Sequence, residues 1–258
     1  MKIRALGSGS KGNCLVVRGG GELLLVDCGL SCRELTKRLK ACGLAPDAVT
    51  GILFTHDHSD HCAGLETFHK KFPNVPLYAN GLTADAIASV TGVEDGWCVF
   101  ETAEPFEIGA LAVDTFAIPH DAADPVGYVL AEGEKTLFIG TDMGTMTVAA
   151  KEALSRATCA VLESNHDSVL LQTSDRPLSL KQRIAGRCGH LSNDQAADAL
   201  RETNPQTLTT LLLAHLSSQC NADYLARESM ERALKDLART NVQLAVLAQD
   251  QPSACFEV

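Results

Sequence analysis

The sequence predicts a mixed, layered α/β protein. Three observations support this prediction: short apolar runs typical of strands recur along the chain, segments with helical periodicity lie between the later runs, and short glycine-rich turns join the early ones. No internal repeat, low-complexity segment or proline-rich linker marks a domain boundary. We therefore expect one domain over residues 1–258.

Ten apolar runs are predicted to form strands. They cover residues 2–6, 13–18, 22–27, 50–55, 111–119, 126–131, 135–141, 158–163, 207–214 and 242–248. The first helix is expected to begin after Ser31, because Ser31 and Glu34 have the spacing of a capping box, and to end at Gly43. Further helices are expected near four polar residues: Thr83, Thr145, Ser192 and Asn221.

Composition indicates a cytoplasmic protein. With 258 residues and 45% hydrophobic side chains, the chain can bury a substantial core. It has no N-terminal basic and apolar signal segment and no run of eighteen apolar residues, so we expect neither secretion nor a membrane partner. The ten cysteines lack paired CxxC spacing and are interpreted as reduced thiols, with Cys62 and Cys220 as small buried hydrophobes.

The formal net charge of −10 argues against a large basic surface for nucleic acid but does not exclude a local one. Bound dications would offset part of the negative charge where a phosphate would lie. One basic run stands out between Arg176 and Arg187. Because it lacks interleaved aromatic residues, we interpret it as a solvated face in preference to a nucleic-acid contact.

The six residues from His56 to His61 read His-Asp-His-Ser-Asp-His and directly follow an apolar run. Residues two apart share a face in an extended chain, so His56 and His58 can hold one ion while Asp60 and His61 reach a second. Imidazole and carboxylate together suit Zn²⁺ or Mn²⁺. This density of ligands indicates a two-metal centre, with a solvated polar loop as the alternative.

Three more candidate ligands end apolar runs elsewhere in the chain. They are His120, Asp142 and His215. Polar residues at the ends of successive buried strands converge on one edge of a sheet, where α/β proteins place their sites. A single histidine at a strand end would more often be a hydrogen-bonded structural residue, but together with the cluster at His56–His61 these three are interpreted as ligands.

The ordered set of candidate residues resembles the metallo-β-lactamase fold superfamily over essentially the whole chain. The residues are Asp27, His56, His58, Asp60, His61, His120, Asp142 and His215. The resemblance implies a four-layer αβ/βα sandwich with two divalent ions at the edge between two sheets. It also implies ligand roles: one ion held by His56, His58 and His120, the other by Asp60, His61 and His215, with Asp142 bridging. Asp27 would fix a ligand by hydrogen bonds.

Local features narrow the resemblance. Pro125-Val126-Gly127-Tyr128, Glu163 at a strand end and Gly189-His190 before a helix are similar to ribonuclease Z, in which a Glu and a His at matching places pair beside the metals. The turn of residues 7–14 and the run of residues 163–167 look more like the small bacterial YycJ/WalJ-type branch, which is associated with exonuclease activity on DNA. No insertion corresponds to the tRNA-gripping arm of ribonuclease Z.

The pair of Glu163 and His190 discriminates between reaction classes. A sugar oxygen leaving a phosphodiester benefits from a general acid, whereas a thioester releases a much better leaving group. The pair therefore favours a nuclease, and an ordinary buried hydrogen-bonded pair is the alternative.

Asp60, Glu163 and His190 are the expected catalytic residues. Candidate substrate-binding residues are Ser10, Asn13, Asn165 and His166, whereas His69 is expected on an exposed helix surface.

These features predict a metal-dependent phosphodiesterase with two Zn²⁺ or Mn²⁺ ions and a nucleic-acid substrate. The resemblance implies an exonuclease that digests DNA from 5′ to 3′, with an RNA-processing nuclease as the close alternative. An acyl hydrolase of thioesters or lactones is the rival enzyme, and a noncatalytic metal-binding protein is the third hypothesis. No feature of the sequence indicates an oligomeric state.

Overall fold

The computed structural model describes residues 1–258, and they form two compact units. Unit 1 comprises Met1–Thr115, Ala122–Val126 and Ala248–Glu257. Unit 2 comprises Phe116–Asp121, Gly127–Leu247 and Val258. Each unit has its own buried apolar core. The expectation of a single domain stays a prediction. No helix combines the length and the apolar character that crossing a membrane requires.

The first sheet has seven strands in the order β14-β1-β2-β3-β4-β5-β6. They are β1 (Lys2–Gly7), β2 (Cys14–Gly19), β3 (Glu22–Val26), β4 (Gly51–Leu53), β5 (Leu77–Asn80), β6 (Trp97–Phe100) and β14 (Phe256–Glu257). Short turns join β1, β2 and β3 as an antiparallel meander, and β3 to β6 are parallel. The helices of unit 1 are α1 (Cys32–Ala41), α2 (Ser59–Cys62), α3 (Leu65–Lys71) and α4 (Gly81–Thr91).

The core of unit 1 explains the apolar runs of its parallel strands. Strands β3 and β4 are buried along nearly their whole length, as expected where helices cover a parallel sheet. Leu35 and Leu39 of α1 belong to the same core as Ile52 of β4. Ser31 caps α1 as predicted, because its hydroxyl accepts a hydrogen bond from the Glu34 backbone N–H at 3.3 Å.

The second sheet has the order β13-β12-β11-β10-β9-β8-β7. Its strands are β7 (Phe106–Ile108), β8 (Leu111–Ala117), β9 (Val126–Glu132), β10 (Lys135–Gly140), β11 (Cys159–Glu163), β12 (Thr210–Ala214) and β13 (Gln243–Val246). The helices that follow in the chain are α5 (Val148–Ser155), α6 (Ser168–Thr173), α7 (Leu178–Ile184), α8 (Asn193–Thr203) and α9 (Asp223–Asp236). Strands β10 to β13 are parallel, so the ends of β10, β11 and β12 lie on one edge.

All ten predicted runs contain a strand, and the predicted helix starts lie within three residues of α1, α4, α5, α8 and α9. Ser192 forms a full capping box with Gln195 at the start of α8. Strands β5, β6, β7 and β14 and helices α2, α6 and α7 were not predicted, and α3 was anticipated only by the expectation that His69 lies on a helix. Each has at most seven residues, which is too short for a clear periodic pattern.

Candidate functional site

The histidine loop, residues 55–62, leaves the end of β4 in unit 1 and runs into α2. His56 and His61 are buried, and their ring centroids lie 4.0 Å apart. His58 lies edge-on to His56 at 4.7 Å, and the Asp60 carboxylate is 3.6 Å from Nε2 of His61. The structure therefore gathers all four candidate ligands of this loop into one cluster.

Hydrogen bonds to the Asp27 carboxylate orient the histidine loop. Its carboxylate lies 2.7 Å from Nδ1 of His61 and accepts hydrogen bonds from the backbone N–H and the hydroxyl of Thr55 at 2.9 and 3.0 Å. Because a carboxylate only accepts, Nδ1 of His61 carries the hydrogen and Nε2 keeps its lone pair. The Thr55 hydroxyl also lies 2.9 Å from Nδ1 of His56. The predicted role of Asp27 as a ligand-fixing residue thus has a geometric basis.

Asn13 connects the early glycine-rich turn to the histidine loop. Its amide nitrogen lies 2.9 Å from Nε2 of His61 and 3.3 Å from the Asp60 carboxylate, and its amide oxygen accepts from the Gly9 N–H at 2.7 Å. The side chain is 7% exposed. Asn13 is therefore engaged with the candidate ligands, whereas Ser10 lies exposed on the turn.

The sheet edge of unit 2 carries the second group of candidate residues. Asp142 follows β10, Glu163 ends β11, and His215 directly follows β12. Glu163 pairs in register with Ala214, which brings its carboxylate beside the next residue, His215. The potential ligand atoms of Asp142, Glu163, His190 and His215 all lie within 4.8 Å of one another.

Glu163 is the centre of this group. Its Oε1 lies 2.8 Å from Nδ1 of His190 and 3.1 Å from Nδ1 of His215, and its Oε2 accepts from the backbone N–H groups of Met143 and Leu191. Both imidazoles therefore direct Nδ1–H toward the carboxylate and Nε2 away from it. This geometry favours hydrogen bonding, not metal coordination, at the two Nδ1 atoms.

Charge within this group shifts two pKa values. Burial alone would lower the pKa of His190, but the charge and hydrogen bond of Glu163, helped by Asp142, raise it above the ordinary value. Burial alone would raise the pKa of Glu163, but attraction to His190 and the hydrogen bonds from both imidazoles lower it. The pair therefore favours a protonated His190 beside an ionised Glu163.

His120 is held by the loop that precedes His190. Its Nδ1 donates to the Gly189 carbonyl at 3.1 Å, which leaves Nε2 as the nitrogen suited to a metal ion. The Gly189 carbonyl was not predicted as part of the site. No signal in the sequence identifies a backbone acceptor of this kind, because its position depends on how the chain folds.

Asn165 and His166 have different surroundings. The Asn165 amide donates to the His215 carbonyl at 2.7 Å and thereby supports the turn that carries this candidate ligand. His166 is 2% exposed, its Nδ1 has no hydrogen-bond partner, and burial lowers its pKa. The structure thus assigns the Asn165 amide to a protein contact and leaves a nitrogen of His166 without one.

Three candidate residues adopt left-handed backbone conformations. Asp27, Asp142 and His215 have φ values of 64°, 58° and 56°, and each lies just beyond the end of a strand. This region is uncommon for residues other than glycine, and such residues cluster at functional sites. The strain therefore marks the same positions that the sequence singles out.

The donor set fits divalent metal ions. Unit 1 offers three imidazoles and the Asp60 carboxylate, and unit 2 offers two imidazoles and the Asp142 carboxylate. The Nδ1 atoms of His61, His120 and His215 are oriented by hydrogen bonds, as is common for metal-binding histidines. Mixed nitrogen and oxygen ligands suit Zn²⁺ or Mn²⁺.

Predictions from the sequence also concern His69, Cys62 and Cys220, and the structure contradicts the prediction for His69. The expectation that His69 is exposed is wrong: it is 7% exposed in α3, and its Nε2 lies 2.9 Å from the Asp95 carboxylate. Cys62 and Cys220 are buried, as expected for small hydrophobes. Burial raises the pKa of Cys62 to about 12, so its thiol is not readily ionised.

Comparison with known proteins identifies the family. Residues 23–215 match the sequence model described as "Beta-lactamase superfamily domain". The chain is 36% identical over 238 residues to "Exodeoxyribonuclease YycJ" of Bacillus anthracis, covering 92% of this chain and 90% of the relative. It is 32% identical over 237 residues to "Exodeoxyribonuclease WalJ" of Streptococcus pneumoniae, covering 90% and 88%.

A solved structure shares the fold. The metallo-β-lactamase fold protein YhfI of Bacillus subtilis superposes with a TM-score of 0.76 at 15% identity, covering 99% of both chains. The two sheets with their helices therefore confirm the predicted mixed α/β class of the metallo-β-lactamase type. The family implies binding of divalent metal ions, in agreement with the clustered histidines and carboxylates. This chain belongs to the β-lactamase superfamily domain family, in a branch shared with YycJ and WalJ.

Proposed function

We propose that this protein is a metal-dependent exodeoxyribonuclease. One observation carries the proposal: a single buried carboxylate, Glu163, holds both His190 and the candidate ligand His215 by their Nδ1 atoms. This arrangement puts an acid of raised pKa next to a candidate metal ligand. The names of the YycJ and WalJ relatives support the same substrate class.

The ligand assignment is also a proposal, which rests on the family resemblance. We propose seven ligands for two ions: His56, His58, Asp60, His61, His120, Asp142 and His215. When bound, such ions supply an activated water and stabilise the charge that develops on phosphate oxygens. Asp60, beside Nε2 of His61, would also orient the attacking water.

His190 would act as the general acid. Its Nδ1–H is committed to Glu163, so the proton available to a substrate is the one on Nε2. The leaving sugar oxygen of a phosphodiester needs this proton, because an unprotonated alkoxide is a poor leaving group. Glu163 would stabilise the imidazolium before the transfer and keep the ring in place during it.

The four candidate substrate-binding residues divide into two pairs in this proposal. The Asn13 amide contacts Asp60 and His61, and the Asn165 amide donates to the His215 carbonyl. These contacts favour a positioning role for both residues. Ser10, on the exposed turn, and His166, whose Nδ1 has no partner, remain the candidates for contacting the substrate phosphate or base.

The test is digestion of labelled polymers by purified protein loaded separately with Mn²⁺ and Zn²⁺. Single- and double-stranded DNA and RNA carry a label at either the 5′ or the 3′ end, and the Asp142→Ala variant is the control. The proposal expects metal-dependent release of mononucleotides from DNA, proceeding from the 5′ end, and no release by the variant. Cleavage of RNA alone would favour the RNA-processing alternative.

The other two hypotheses predict different results in the same assay. No cleavage of either polymer with metal ions bound would refute the nuclease proposal. Hydrolysis of a thioester or lactone by that protein, unaffected by His190→Ala, would then identify an acyl hydrolase. Tight metal binding without turnover of any ester would identify a noncatalytic protein.

A further inference from the structure

A basic segment of unit 2, residues 168–189, lies between the Glu163 strand end and His190. It contains α6 and α7 and carries four basic residues against one acidic residue, Asp175. The basic residues are Arg176, Lys181, Arg183 and Arg187. The whole chain has a net charge of −10, so this segment has the opposite sign to the rest of the protein.

The second helix of the basic segment has no buried residue. Leu178, at its start, is 70% exposed, and Val169 in α6 is 67% exposed. A helix of seven residues is not stable by propensity alone, and most helices gain stability by burying one face. Helix α7 therefore depends on specific anchors and presents its surface to solvent.

The anchors join the basic segment to the candidate acid site. Arg183 forms an ion pair with Asp121 at 2.6 Å, and Asp121 directly follows the candidate ligand His120. The Gly189 carbonyl accepts from His120, and the His190 N–H donates to the Ile184 carbonyl at 2.8 Å. These contacts hold the end of the segment against the residues proposed to perform the chemistry.

Tight backbone packing reinforces these anchors. A Cβ atom at Gly144 would lie 2.3 Å from the Arg187 carbonyl oxygen, so the loop that ends the segment packs directly on the backbone after β10. Only glycine permits so close an approach. The loop that leads into His190 is thus held in a defined position.

Two cations of the segment have no acidic partner. Arg187 is exposed. Arg176 is half-buried, and its Nε is shielded from solvent and has no hydrogen-bond partner, so Arg176 would reach a phosphate through its terminal Nη atoms. By contrast, Arg183 is paired with Asp121, and Nζ of Lys181 donates to the Gln172 carbonyl at 2.7 Å. Guanidinium groups bind phosphate by paired hydrogen bonds, so the two uncommitted arginines suit a phosphate backbone.

We propose that the outer surface of residues 168–189 docks the phosphate backbone of the nucleic-acid strand whose end reaches His190. The proposal rests on the proposed function, because it takes the polymer to be nucleic acid. A second copy of this chain fits less well, since a two-fold symmetric contact would bring two basic segments together. Arg176 and Arg187 would make the phosphate contacts, and Lys181 and Arg183 would position α7.

The test is binding of a fluorescent, phosphorothioate-linked single-stranded oligonucleotide, which keeps the backbone charge and resists cleavage. Affinity is measured by anisotropy between 50 and 300 mM KCl for the wild type and for the double variant Arg176→Gln/Arg187→Gln. The matched control is Arg156→Gln/Arg232→Gln, which removes the same charge from two exposed arginines of unit 2. Circular dichroism and Tm measurements establish that each variant is folded.

We expect the Arg176/Arg187 variant to bind about ten-fold more weakly at 100 mM salt. Its plot of log affinity against log salt should lose about 1.4 of its slope, because each phosphate contact on a single strand contributes about 0.7. The ratio of oligonucleotide cleavage to hydrolysis of bis(p-nitrophenyl) phosphate should fall to the same extent. The control variant should stay within two-fold of the wild type in affinity.

Equal affinities and slopes for the two double variants would overturn the docking proposal. If the wild type sediments as a dimer and the Arg176/Arg187 variant sediments as a monomer with unchanged oligonucleotide affinity, that result would overturn the proposal in favour of a contact between copies. A wild-type protein that cleaves DNA while both double variants cleave equally well refutes docking and leaves the nuclease proposal intact. Binding that depends on Arg176 and Arg187 without any cleavage supports docking and refutes the nuclease.

Discussion

Glu163 shows how a buried charge is stabilised in this protein. The side chain is completely buried, yet Oε1 faces two imidazole Nδ1 atoms and Oε2 accepts from two backbone N–H groups. A carboxylate buried without such partners would cost several kcal/mol. The hydrogen bonds allow Glu163 to remain ionised, and the same bonds fix the orientation of His190 and His215.

Replacing His190 by Ala tests its role as an acid. We expect the variant to keep the metal content of the wild type, because the proposed ligands are unchanged. Cleavage of ordinary phosphodiesters should slow by about 10²–10⁴-fold. Hydrolysis of bis(p-nitrophenyl) phosphate should slow much less, because its leaving group needs little protonation. Equal losses on the two substrates would contradict the acid role.

The pH profile of the Glu163→Gln variant tests whether Glu163 raises the pKa of His190. The acid must be protonated, so wild-type kcat is expected to fall as pH rises through the pKa of His190, which Glu163 raises above its ordinary value. Without the Glu163 charge that pKa falls, so the alkaline limb of the kcat profile should move to lower pH. If the alkaline limb of the kcat profile did not shift, Glu163 would not be the group that raises the pKa of His190.

At the scale of elements, strand ends position the candidate ligands. Strands β3, β10 and β12 are each followed, within two residues, by a left-handed residue, namely Asp27, Asp142 and His215. Each such residue costs of order 1 kcal/mol. Side-chain hydrogen bonds offset this strain, as when Asp27 accepts from Thr55 and His61.

Loop contacts hold the histidine loop of unit 1 in place. The Cys28 N–H donates to the His61 carbonyl at 2.7 Å, and the Asn13 N–H donates to the Asp60 carbonyl at 2.7 Å. Gly29 lies so close that a Cβ atom there would be 1.7 Å from the Asp60 carbonyl oxygen. The backbone therefore leaves no room for a side chain at Gly29.

Replacing Gly29 by Ala should displace the histidine loop. We expect a loss of stability of about 2 kcal/mol or more and weaker metal binding, because the loop must move to accept the methyl group. Thermal unfolding and metal analysis measure both effects. Gly81→Ala is the matched control, since a Cβ there would contact only Val99 at 3.9 Å. If the two variants were equally stable, the histidine loop could accept the methyl group without cost, which would contradict this prediction.

At the scale of the whole molecule, each of the two units carries candidate ligands on its own core. His56, His58, Asp60 and His61 belong to unit 1, and His120, Asp142 and His215 belong to unit 2. Ions that bind only the native protein stabilise it in proportion to the logarithm of their concentration. Metal binding should therefore stabilise the fold as well as enable the reaction.

Metal removal tests this linkage. At a metal concentration about 100 times Kd, each ion adds about 2.7 kcal/mol. For two ions in a chain of this size we expect EDTA to lower Tm by about 10–20 °C and Mn²⁺ or Zn²⁺ to restore it. Asp142→Ala should lose most of the response, and Asp85→Ala, on the exposed side of α4, should keep it. A wild-type Tm that is insensitive to metal would contradict the linkage.

The long apolar strands, the capped helices and the candidate ligands could be predicted from the sequence, because these features depend on local periodicity and on residue type. Strand β11 ends at Glu163 as predicted, and Ser192 caps α8. Short elements such as β5 and β6 were missed, since four residues carry little periodic information.

Which of these residues contact one another depends on the folding of the whole chain. Glu163 lies 52 residues from His215 in the chain and Asp27 lies 34 residues from His61, so no local pattern indicates either hydrogen bond. The contacts of Thr55 with Asp27, of Asn13 with His61 and of the Gly189 carbonyl with His120 also join residues that are far apart in the chain. Residue type specifies which chemistry is available, whereas the pairing of distant strands and loops decides which of those groups meet.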